Sequence, residues 1–406
     1  MDTQNTPVHI KLWHRDFWLL AFANLFLMMS IYAQIPGLPP YLLERHFSPM
    51  EVACSMGVLG LGIFALGGFC SYWVQRYRRN HVCLWAIVGV ALCAAVLFYI
   101  DHFLQVKVEF WMVLVFRFAM GAFLGVAQMT LSSTLIIDTC ESFLRTEANY
   151  ITAWFSRFAI ALAPVLSILS FQWVEYKYSL LFSGVLALVA LVLISMAKFP
   201  FKAPTDNMPH FSLDRFFLPQ GFPLFVNIVL VLAAVGILLT YPHSEQFYSL
   251  VGVGLVIAFV AEKYVFADAD LKSEVITGLV LMTAAILMLT SGQPLAIEFI
   301  SPALIGFSIG IMGSRFMLFY IKLAKHCQRG TSMSSFFLAW ESGLSLGLFL
   351  GFVLLNVQDS KSLVIGYPLL DMVNGSLITV SLVLVVVSLL LYNFFVHSWY
   401  MKHKNR

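Results

Sequence analysis

Charged residues are scarce in this chain of 406 residues. Asp, Glu, Lys and Arg together make up 11% of it, whereas a soluble domain carries about 25%. Hydrophobic residues make up 60%, and the mean hydropathy is +0.86. The composition therefore excludes a soluble domain and predicts an all-α protein that crosses the lipid bilayer many times. The net charge of +3 says little by itself, since the placement of Lys and Arg matters more in a membrane protein. We expect no nucleic-acid partner.

Cysteine is rare as well, and its spacing carries no pattern. None of the six cysteines forms a Cys-x-x-Cys pair. Most of them lie in or beside apolar runs, where cysteine packs as a small hydrophobic residue. Neither a disulfide framework nor a metal site is indicated, and we expect no cofactor.

The motifs that membrane enzymes need are also missing. The ten histidines are scattered, and none forms a His-x-x-x-x-Asp or His-x-x-x-His pair. No Gly-x-x-x-x-Gly-Lys-Ser/Thr loop for ATP occurs. We therefore expect that the protein is not an enzyme.

Apolar runs of about 20 residues, the length that crosses the hydrocarbon core, recur along the whole chain. The longest polar segment, residues 199–217, contains three prolines and predicts a cytoplasmic linker. It separates an N-terminal half, residues 1–198, from a C-terminal half, residues 218–406. Twelve spans are predicted, at residues 16–36, 50–75, 81–101, 109–137, 146–172, 178–198, 218–241, 247–264, 274–292, 299–322, 331–356 and 370–397.

Basic residues are distributed unevenly between the loops on the two sides of these spans. With the N-terminus inside, most of the 24 Lys and Arg residues fall on the inner face. This bias predicts cytoplasmic termini in a multi-pass protein of the cell (inner) membrane. Three arginines, Arg117, Arg157 and Arg315, instead lie within spans.

Short sequences recur at an offset of 186 to 189 residues, and each joins one span to the span six further on. This pattern predicts the duplication of a six-helix unit, an arrangement typical of transporters with a site between the two halves. The matches are Val74-Gln-Arg-Tyr77 with Ala261-Glu-Lys-Tyr264, Phe118-Ala-Met-Gly121 with Phe307-Ser-Ile-Gly310, and Ala153-Trp154-Phe-Ser156 with Ala339-Trp340-Glu-Ser342.

The chain resembles the major facilitator superfamily over its whole length. The loop after the second span keeps the arginines Arg76 and Arg79 of that family's Asp-Arg-x-Gly-Arg-Arg motif, while Gln75 replaces its acid. The fourth span contains the family's Arg-x-x-x-Gly as Arg117-Phe-Ala-Met-Gly121, and Arg145-Thr-Glu-Ala resembles its Arg-Gly-Glu-Ala turn. The best likeness within the family is to bacterial drug and sugar efflux permeases.

This resemblance implies a secondary transporter that alternates access by rocking one half against the other. Proton-coupled efflux of a small organic compound is the leading hypothesis, by an antiporter that acts as a monomer. Uptake of an anionic nutrient is the first alternative, because three arginines and one glutamate lie within spans. A sensor or scaffold that keeps the fold without transporting is the second, because the motif after the second span is incomplete.

Charged residues near the middle of spans are the first candidates for the site. Arg117 is predicted either to line the cavity or to bond to backbone carbonyls of a neighbouring helix. Glu341 is a candidate for the coupling proton, or else for a permanent ion pair. Arg157 is a candidate partner of Glu341, part of an anion site with Arg117, or an interface brace. Arg315, nearer a span end, is expected to extend its side chain to the cytoplasm.

Polar and aromatic residues within spans complete the predicted substrate site. The amide side chains among them are expected to offer hydrogen bonds, and the indole rings to stack on an aromatic or sugar-like substrate, although packing is the more common role of such rings. These residues are Asn24, Gln128, Asn227, Trp154 and Trp340.

Charged residues in the inner loops predict a cytoplasmic gate formed by ion pairs. Acids beside the turn between spans four and five are expected to pair with arginines of that turn or of the loop after span two. Glu262 occupies the position that repeats Gln75 and is a candidate for the missing acid. The gate residues are Arg76, Arg79, Asp138, Arg145, Glu147 and Glu262.

Overall fold

The computed structural model describes residues 11–104, 106–141, 143–199, 208–266, 269–291, 293–325, 328–356 and 375–404. Within these ranges eleven helices are long and apolar enough to span a membrane, and one bent helix pair makes a twelfth span. The predicted all-α fold with twelve spans is confirmed. Part of the predicted linker, residues 200–207, and the start of the predicted last span, residues 370–374, lie outside the described residues.

The spans are α1 (Arg15–Glu44), α2 (Pro49–Ala65 with Gly67–Arg76), α3 (Arg79–His102), α4 (Phe110–Asp138), α5 (Arg145–Phe171), α6 (Tyr178–Met196), α7 (Pro219–Leu238), α8 (Glu245–Tyr264), α9 (Leu271–Met288), α10 (Ala296–Leu323), α11 (Arg329–Leu355) and α12 (Ser376–His403).

The first span is longer than predicted because its helix resumes after an interruption at Ala33. Pro36 follows the interruption and has no N–H to donate to the helix ladder. The hydroxyl of Ser167 on α5 donates to the carbonyl of Ala33, at 2.8 Å. A neighbouring helix thus satisfies a backbone group at the interruption, which allows a broken helix inside a membrane.

The second span bends by 46° between Ala65 and Gly67. Its first part begins with a capping box in which Ser48 and Glu51 satisfy each other's backbone N–H groups. At the bend, Gly67 and Gly68 leave room for aromatic rings from the linker. The bend therefore belongs to the docking surface of the linker.

Glycines allow the closest helix contacts inside each half. In the N-terminal half, a Cβ added to Gly62 of α2 or to Gly121 of α4 would overlap backbone of the other helix. In the C-terminal half, Gly254 of α8 and Gly306 of α10 form the corresponding close contact. Small residues at such contacts let helix backbones approach within the bilayer.

The two predicted halves meet along two helix pairs, α2 with α11 and α5 with α8. An offset of six spans converts one pair into the other, as expected for duplicated halves. Gly57 and Gly60 of α2 contact Phe349 and Ser345 of α11, and Gly252 of α8 lies against α5. These glycines therefore face the surface across which the halves would move. The division at residues 198 and 218 remains our proposal.

The described end of the linker packs across both halves. Phe211 and Phe216 cover Gly68 and Gly67, and the N–H of Ser212 donates to the carbonyl of Gly68 at 2.9 Å. The linker is thus attached to the end of α2 through side chains and backbone.

One carboxylate of the linker connects that attachment to α11. Asp214 accepts hydrogen bonds from Ser71 of α2 at 3.2 Å and from Thr331 of α11 at 3.1 Å. The N–H of Leu218 donates to Ser335 of α11 at 2.7 Å. The linker therefore bridges α2 and α11, the helices of one of the two inter-half pairs.

Candidate functional site between the halves

Three cavities lie between elements of the two halves. The linker-side cavity, about 750 Å³, lies where α4 and α5 meet α11 and the linker, and the far-side cavity, about 650 Å³, lies at the other end of the molecule. A central cavity of about 50 Å³ is enclosed by side chains of α1, α4, α5 and α11. Pockets for organic ligands measure about 300–1,000 Å³, so the halves must separate before the central cavity can hold one.

Helical periodicity explains which side chains face the central cavity. Residues spaced by three or four lie on one face of a helix. On α4, a turn of π-helix at Leu131–Leu135 follows the first of the lining residues. The lining residues include Asn24, Met28 and Tyr32 of α1, Gln128, Ser132 and Ile136 of α4, Asn149, Thr152, Ser156 and Arg157 of α5, and Met333, Phe336, Trp340 and Glu341 of α11.

Two of the predicted amide side chains form one hydrogen-bonded group in this cavity. Gln128 donates to the side-chain oxygen of Asn24 at 2.7 Å. The nitrogen of Asn24 donates to the hydroxyl of Ser156 at 2.5 Å and to the carbonyl of Thr152 at 3.0 Å. This group joins α1, α4 and α5, so it orders three helices of one half around the cavity.

Glu341 is buried and faces the opposite half. The hydroxyl of Tyr32 on α1 donates to its carboxylate, so this bond joins α1 to α11 across the interface. No ion pair to Glu341 is formed among the described residues. The counter-charge that the sequence offered for it, Arg157, lines the same cavity but binds elsewhere.

Arg157 also connects the two halves. Its guanidinium donates to the hydroxyl of Ser314 at 2.7 Å and to the carbonyl of Gly310 at 3.3 Å, both on α10. It lies 4.5 Å from the ring centroid of Trp154, a cation–π distance. Its Nε and Nη2 groups have no hydrogen-bond partner among the described residues. The arrangement matches the predicted interface brace and leaves two donors beside the cavity.

The two tryptophans differ in position. Trp340 lines the central cavity and packs against Phe336 of the same helix. Trp154 is buried outside the lining, where its ring meets Phe259 of α8 edge to face at 5.3 Å. Of the two, Trp340 is positioned to contact a substrate.

Arg117 lies inside the N-terminal half, away from the central cavity lining. It donates to the carbonyl of Ser55 on α2 at 3.1 Å and to the side-chain oxygen of Gln34 on α1 at 2.5 Å. Gln34 in turn donates to Ser183 of α6 at 2.6 Å. Of the alternatives that the sequence leaves open, this geometry matches a structural arginine, and no anion site is shared with Arg157.

Asn227 is fully buried between helices of the C-terminal half. Its amide donates to the carbonyl of Ser388 on α12 at 2.9 Å, and the hydroxyl of Ser388 donates back at 3.2 Å. Asn227 therefore faces α12 and is not among the residues that line the central cavity, although the sequence analysis places it in the substrate site.

One predicted gate pair is present on the linker side. Arg79 at the start of α3 forms an ion pair with Asp138 at the end of α4. Both residues, together with Arg145, line the linker-side cavity. Arg76 and Glu147 are exposed on the surface. A gating role for these residues remains a prediction.

Glu262 belongs to a separate charged cluster in the C-terminal half. Its carboxylate lies 3.5 Å from Arg315, which also pairs with the fully buried Glu274. Both carboxylates lie in the end turns of their helices, Glu262 near the end of α8 and Glu274 near the start of α9. The extension of Arg315 to the cytoplasm remains a prediction. Glu262 also lies close to Tyr150 and Arg157 of α5 in the other half. The linker residue Asp214 is the acid that contacts α2 near Gln75.

Several residues of the interface were not identified from the sequence. Tyr32 could have been found from its spacing of eight from Asn24 on one helical face. Asn149 lines both the central and the linker-side cavities. Arg215 and Arg329 share the linker-side cavity, and nothing in their local sequence indicates this.

Comparison with known proteins agrees with this geometry. Among curated proteins no sequence is detectably similar. Solved structures with the same fold include a mutant of the nucleoside transporter NupG (11% identity, 94% of this chain and 99% of that one, TM-score 0.66). They also include the human organic anion transporter MFSD10 (15%, 93% and 99%, 0.64) and a bacterial homolog of the human lysosomal transporter Spinster, inward-facing and occupied (14%, 98% and 100%, 0.68). The family model for the Major Facilitator Superfamily matches residues 20–401. The chain is therefore a multi-pass membrane transporter that belongs to the major facilitator superfamily.

Proposed function

We propose that this protein exports a small organic compound in exchange for protons and that Glu341 binds the proton. The observation that carries the proposal is the position of Glu341, which is buried in the central cavity with the hydroxyl of Tyr32 as its partner from the opposite half. No basic side chain among the described residues neutralises it by an ion pair, so its charge is free to change during transport.

The proposed coupling follows from the cost of burying charge. A neutral carboxyl group is far cheaper to enclose than a carboxylate, so closure of the halves and proton binding at Glu341 favour each other. Opening to water allows the proton to leave, and the substrate then competes for the exposed cavity. Asn24 and Gln128 supply hydrogen bonds, and Trp340 supplies a ring for stacking.

Uptake of an anionic compound is the second candidate, and Arg157 favours it. Two donors of this guanidinium lack hydrogen-bond partners among the described residues, and the side chain lies beside the same cavity. Arginine binds carboxylate and phosphate groups through two parallel hydrogen bonds. An anion held there would enter the cavity opposite Glu341.

The test begins with a search for a ligand by thermal stabilisation of the purified protein, since a ligand that binds only the folded state raises its apparent stability. The first screen contains nucleosides and organic anions, because two proteins of the same fold are named as transporters of these compounds. Their identities of 11–15% show the fold alone. Ligands found in this way are then tested for flux in proteoliposomes that contain a pH-sensitive dye.

We expect substrate-dependent proton flux in the wild type and its loss in Glu341→Gln, which keeps the shape of the side chain. Substrate-dependent proton movement that is unchanged in Glu341→Gln refutes the role of Glu341. Accumulation of an anionic substrate inside the vesicles, driven by its own electrochemical gradient and without proton movement, supports uptake of an anionic compound. Binding without flux in either direction supports a sensor on the same fold.

A further inference from the structure

The linker-side cavity is lined by four arginines from four separate parts of the chain. Arg79 comes from α3, Arg145 from α5, Arg215 from the linker and Arg329 from α11. Asp138 is the acidic residue in the described lining, and it pairs with Arg79. The cavity therefore carries a net positive charge.

Unpaired polar atoms line the same cavity. Nε of Arg145, Nη1 of Arg215, the hydroxyl of Ser133 and the side-chain oxygen of Asn149 are buried and make no hydrogen bond to other described residues. Ser133 and Asn149 are more than nine-tenths buried. Buried polar groups are normally satisfied, so four unpaired atoms around one cavity indicate a ligand or solvent site.

Two long helices begin at this cavity. Both α5 and α11 have 27 residues, and they start with Arg145 and Arg329. Thr146 and Gly330, in their first turns, also line it, and the start of α5 has no side-chain cap. Helix N-termini carry partial positive charge and unpaired N–H groups, both of which favour anions. The two ends come from repeat-related helices, one in each half.

The far-side cavity provides an internal comparison. Its described lining residues include His243 and Glu298 but no Lys or Arg, although its volume, about 650 Å³, is similar. The concentration of arginine is therefore a property of the linker side and not of the interface between the halves in general.

We propose that the linker-side cavity binds a multivalent oxyanion, carried either by a phosphate compound or by a polycarboxylate. Guanidinium groups pair with the oxygens of both groups in a bidentate manner, and helix N-termini supply further donors. With the predicted orientation, this cavity opens to the cytoplasm. The site does not depend on Glu341 or on proton coupling, so a failure of this proposal and a failure of the proposed function can be distinguished.

The electrostatics of Arg215 agree with this assignment. Burial and the neighbouring charge of Arg79 lower the pKa of its guanidinium, and Asp214 compensates only in part. A bound oxyanion would offset the repulsion between the two arginines. Because the ligand contacts residues from both halves and from the linker, it would also stabilise the state in which these parts lie together.

The test is a titration of the purified full-length protein in detergent with inorganic phosphate and with citrate, followed by thermal unfolding. Chloride at matched ionic strength is the salt control, because unspecific screening depends on ionic strength alone. We expect the unfolding temperature to rise with the logarithm of the phosphate or citrate concentration above the dissociation constant, and no such rise with chloride. Arg215→Gln and Arg329→Gln should weaken the apparent affinity about tenfold or more, since each removes a charged donor.

Arg78→Gln is the matched control, because Arg78 is exposed on the same side of the molecule and lies outside the cavity lining. An equal rise with chloride, or an unchanged affinity in both cavity variants, would overturn the proposal. If a variant cannot be purified, the shape of the wild-type curve decides. A bound ligand raises stability logarithmically with concentration, whereas exclusion of phosphate or citrate from the protein surface raises it in proportion to concentration. Glu341→Gln should keep the affinity.

The titration shows whether phosphate or citrate binds more tightly, and proteoliposomes with the labelled ligand then distinguish a transported oxyanion from a regulatory one. Labelled ligand that crosses the membrane is a substrate held on its path, next to Asn149, which also lines the central cavity. Ligand that binds without crossing is a cytoplasmic effector.

Discussion

The hydrogen bond between Tyr32 and Glu341 makes the central contact between the halves accessible to a simple test. Replacement of Tyr32 by Phe removes one hydroxyl and keeps the ring, which is buried on α1. The closed state loses the bond, while a state with separated halves never had it. We therefore expect Tyr32→Phe to increase the fraction of molecules whose central cavity is open to water.

The size of the effect follows from the type of bond. A hydrogen bond to a charged group contributes about 1.5–3 kcal/mol. Since about 1.4 kcal/mol changes an equilibrium constant tenfold, the open fraction should rise by roughly ten- to a hundredfold while the closed state remains dominant. If Glu341 is neutral in the closed state, the bond contributes about 0.5–1.5 kcal/mol and the rise is roughly two- to tenfold.

The assay is the rate at which a charged thiol reagent labels Ser132→Cys in a background without native cysteine. Ser132 lines the central cavity and is only partly buried, so its accessibility reports separation of the halves. Tyr400→Phe is the control, because the hydroxyl of Tyr400 is buried on α12 without a hydrogen-bond partner among the described residues. Equal labelling rates in Tyr32→Phe, Tyr400→Phe and the parent would refute a stabilising role for the bond.

Further predictions concern stability in detergent, measured as the unfolding temperature. Gly121→Ala should destabilise by about 1–3 kcal/mol because its Cβ would overlap the Leu59 carbonyl, whereas Gly184→Ala, whose nearest neighbour would be 3.7 Å away, should be neutral or stabilising. Equal effects of the two changes would contradict the close contact of α2 with α4. Arg315→Met should cost about 3–5 kcal/mol by leaving the buried Glu274 without its partner, and adding Glu274→Gln should recover much of the loss. No recovery in the double variant would mean that Arg315 acts through packing.

The spans and the family could be predicted because hydrophobic run length and repeated short sequences are local properties of the chain. Even so, the extension of α1 to Glu44 was missed, since three prolines indicate a helix end unless a neighbouring helix satisfies the interrupted backbone. Ser167 provides that contact from α5. Its position is a consequence of folding and has no sign in the sequence around Ala33.

The partners of the buried charged residues could not be predicted from the sequence either. Depth in a span identified Arg117, Arg157 and Glu341 as unusual, but not their partners, because helix rotation and packing decide which side chains meet. Arg117 bonds to Gln34 and Ser55 within its half, and Glu341 meets Tyr32 across the interface. The sequence does not indicate a tyrosine as the partner, because a buried acid and a buried arginine suggest each other first.

The placement of the hydrogen bonds across the interface, among the described residues, favours one direction of opening. At mid-depth, Arg157 bonds to Ser314 and Tyr32 bonds to Glu341. On the linker side, Asp214 is bonded to α2 and to α11, so separation of these helices there must also break contacts of the linker. The far side has no linker contact among the described residues. States that differ by a few kcal/mol exchange readily, so a few such bonds suffice to set the balance. We therefore expect this conformation to open more readily on the far side, and an oxyanion in the linker-side cavity to strengthen that preference.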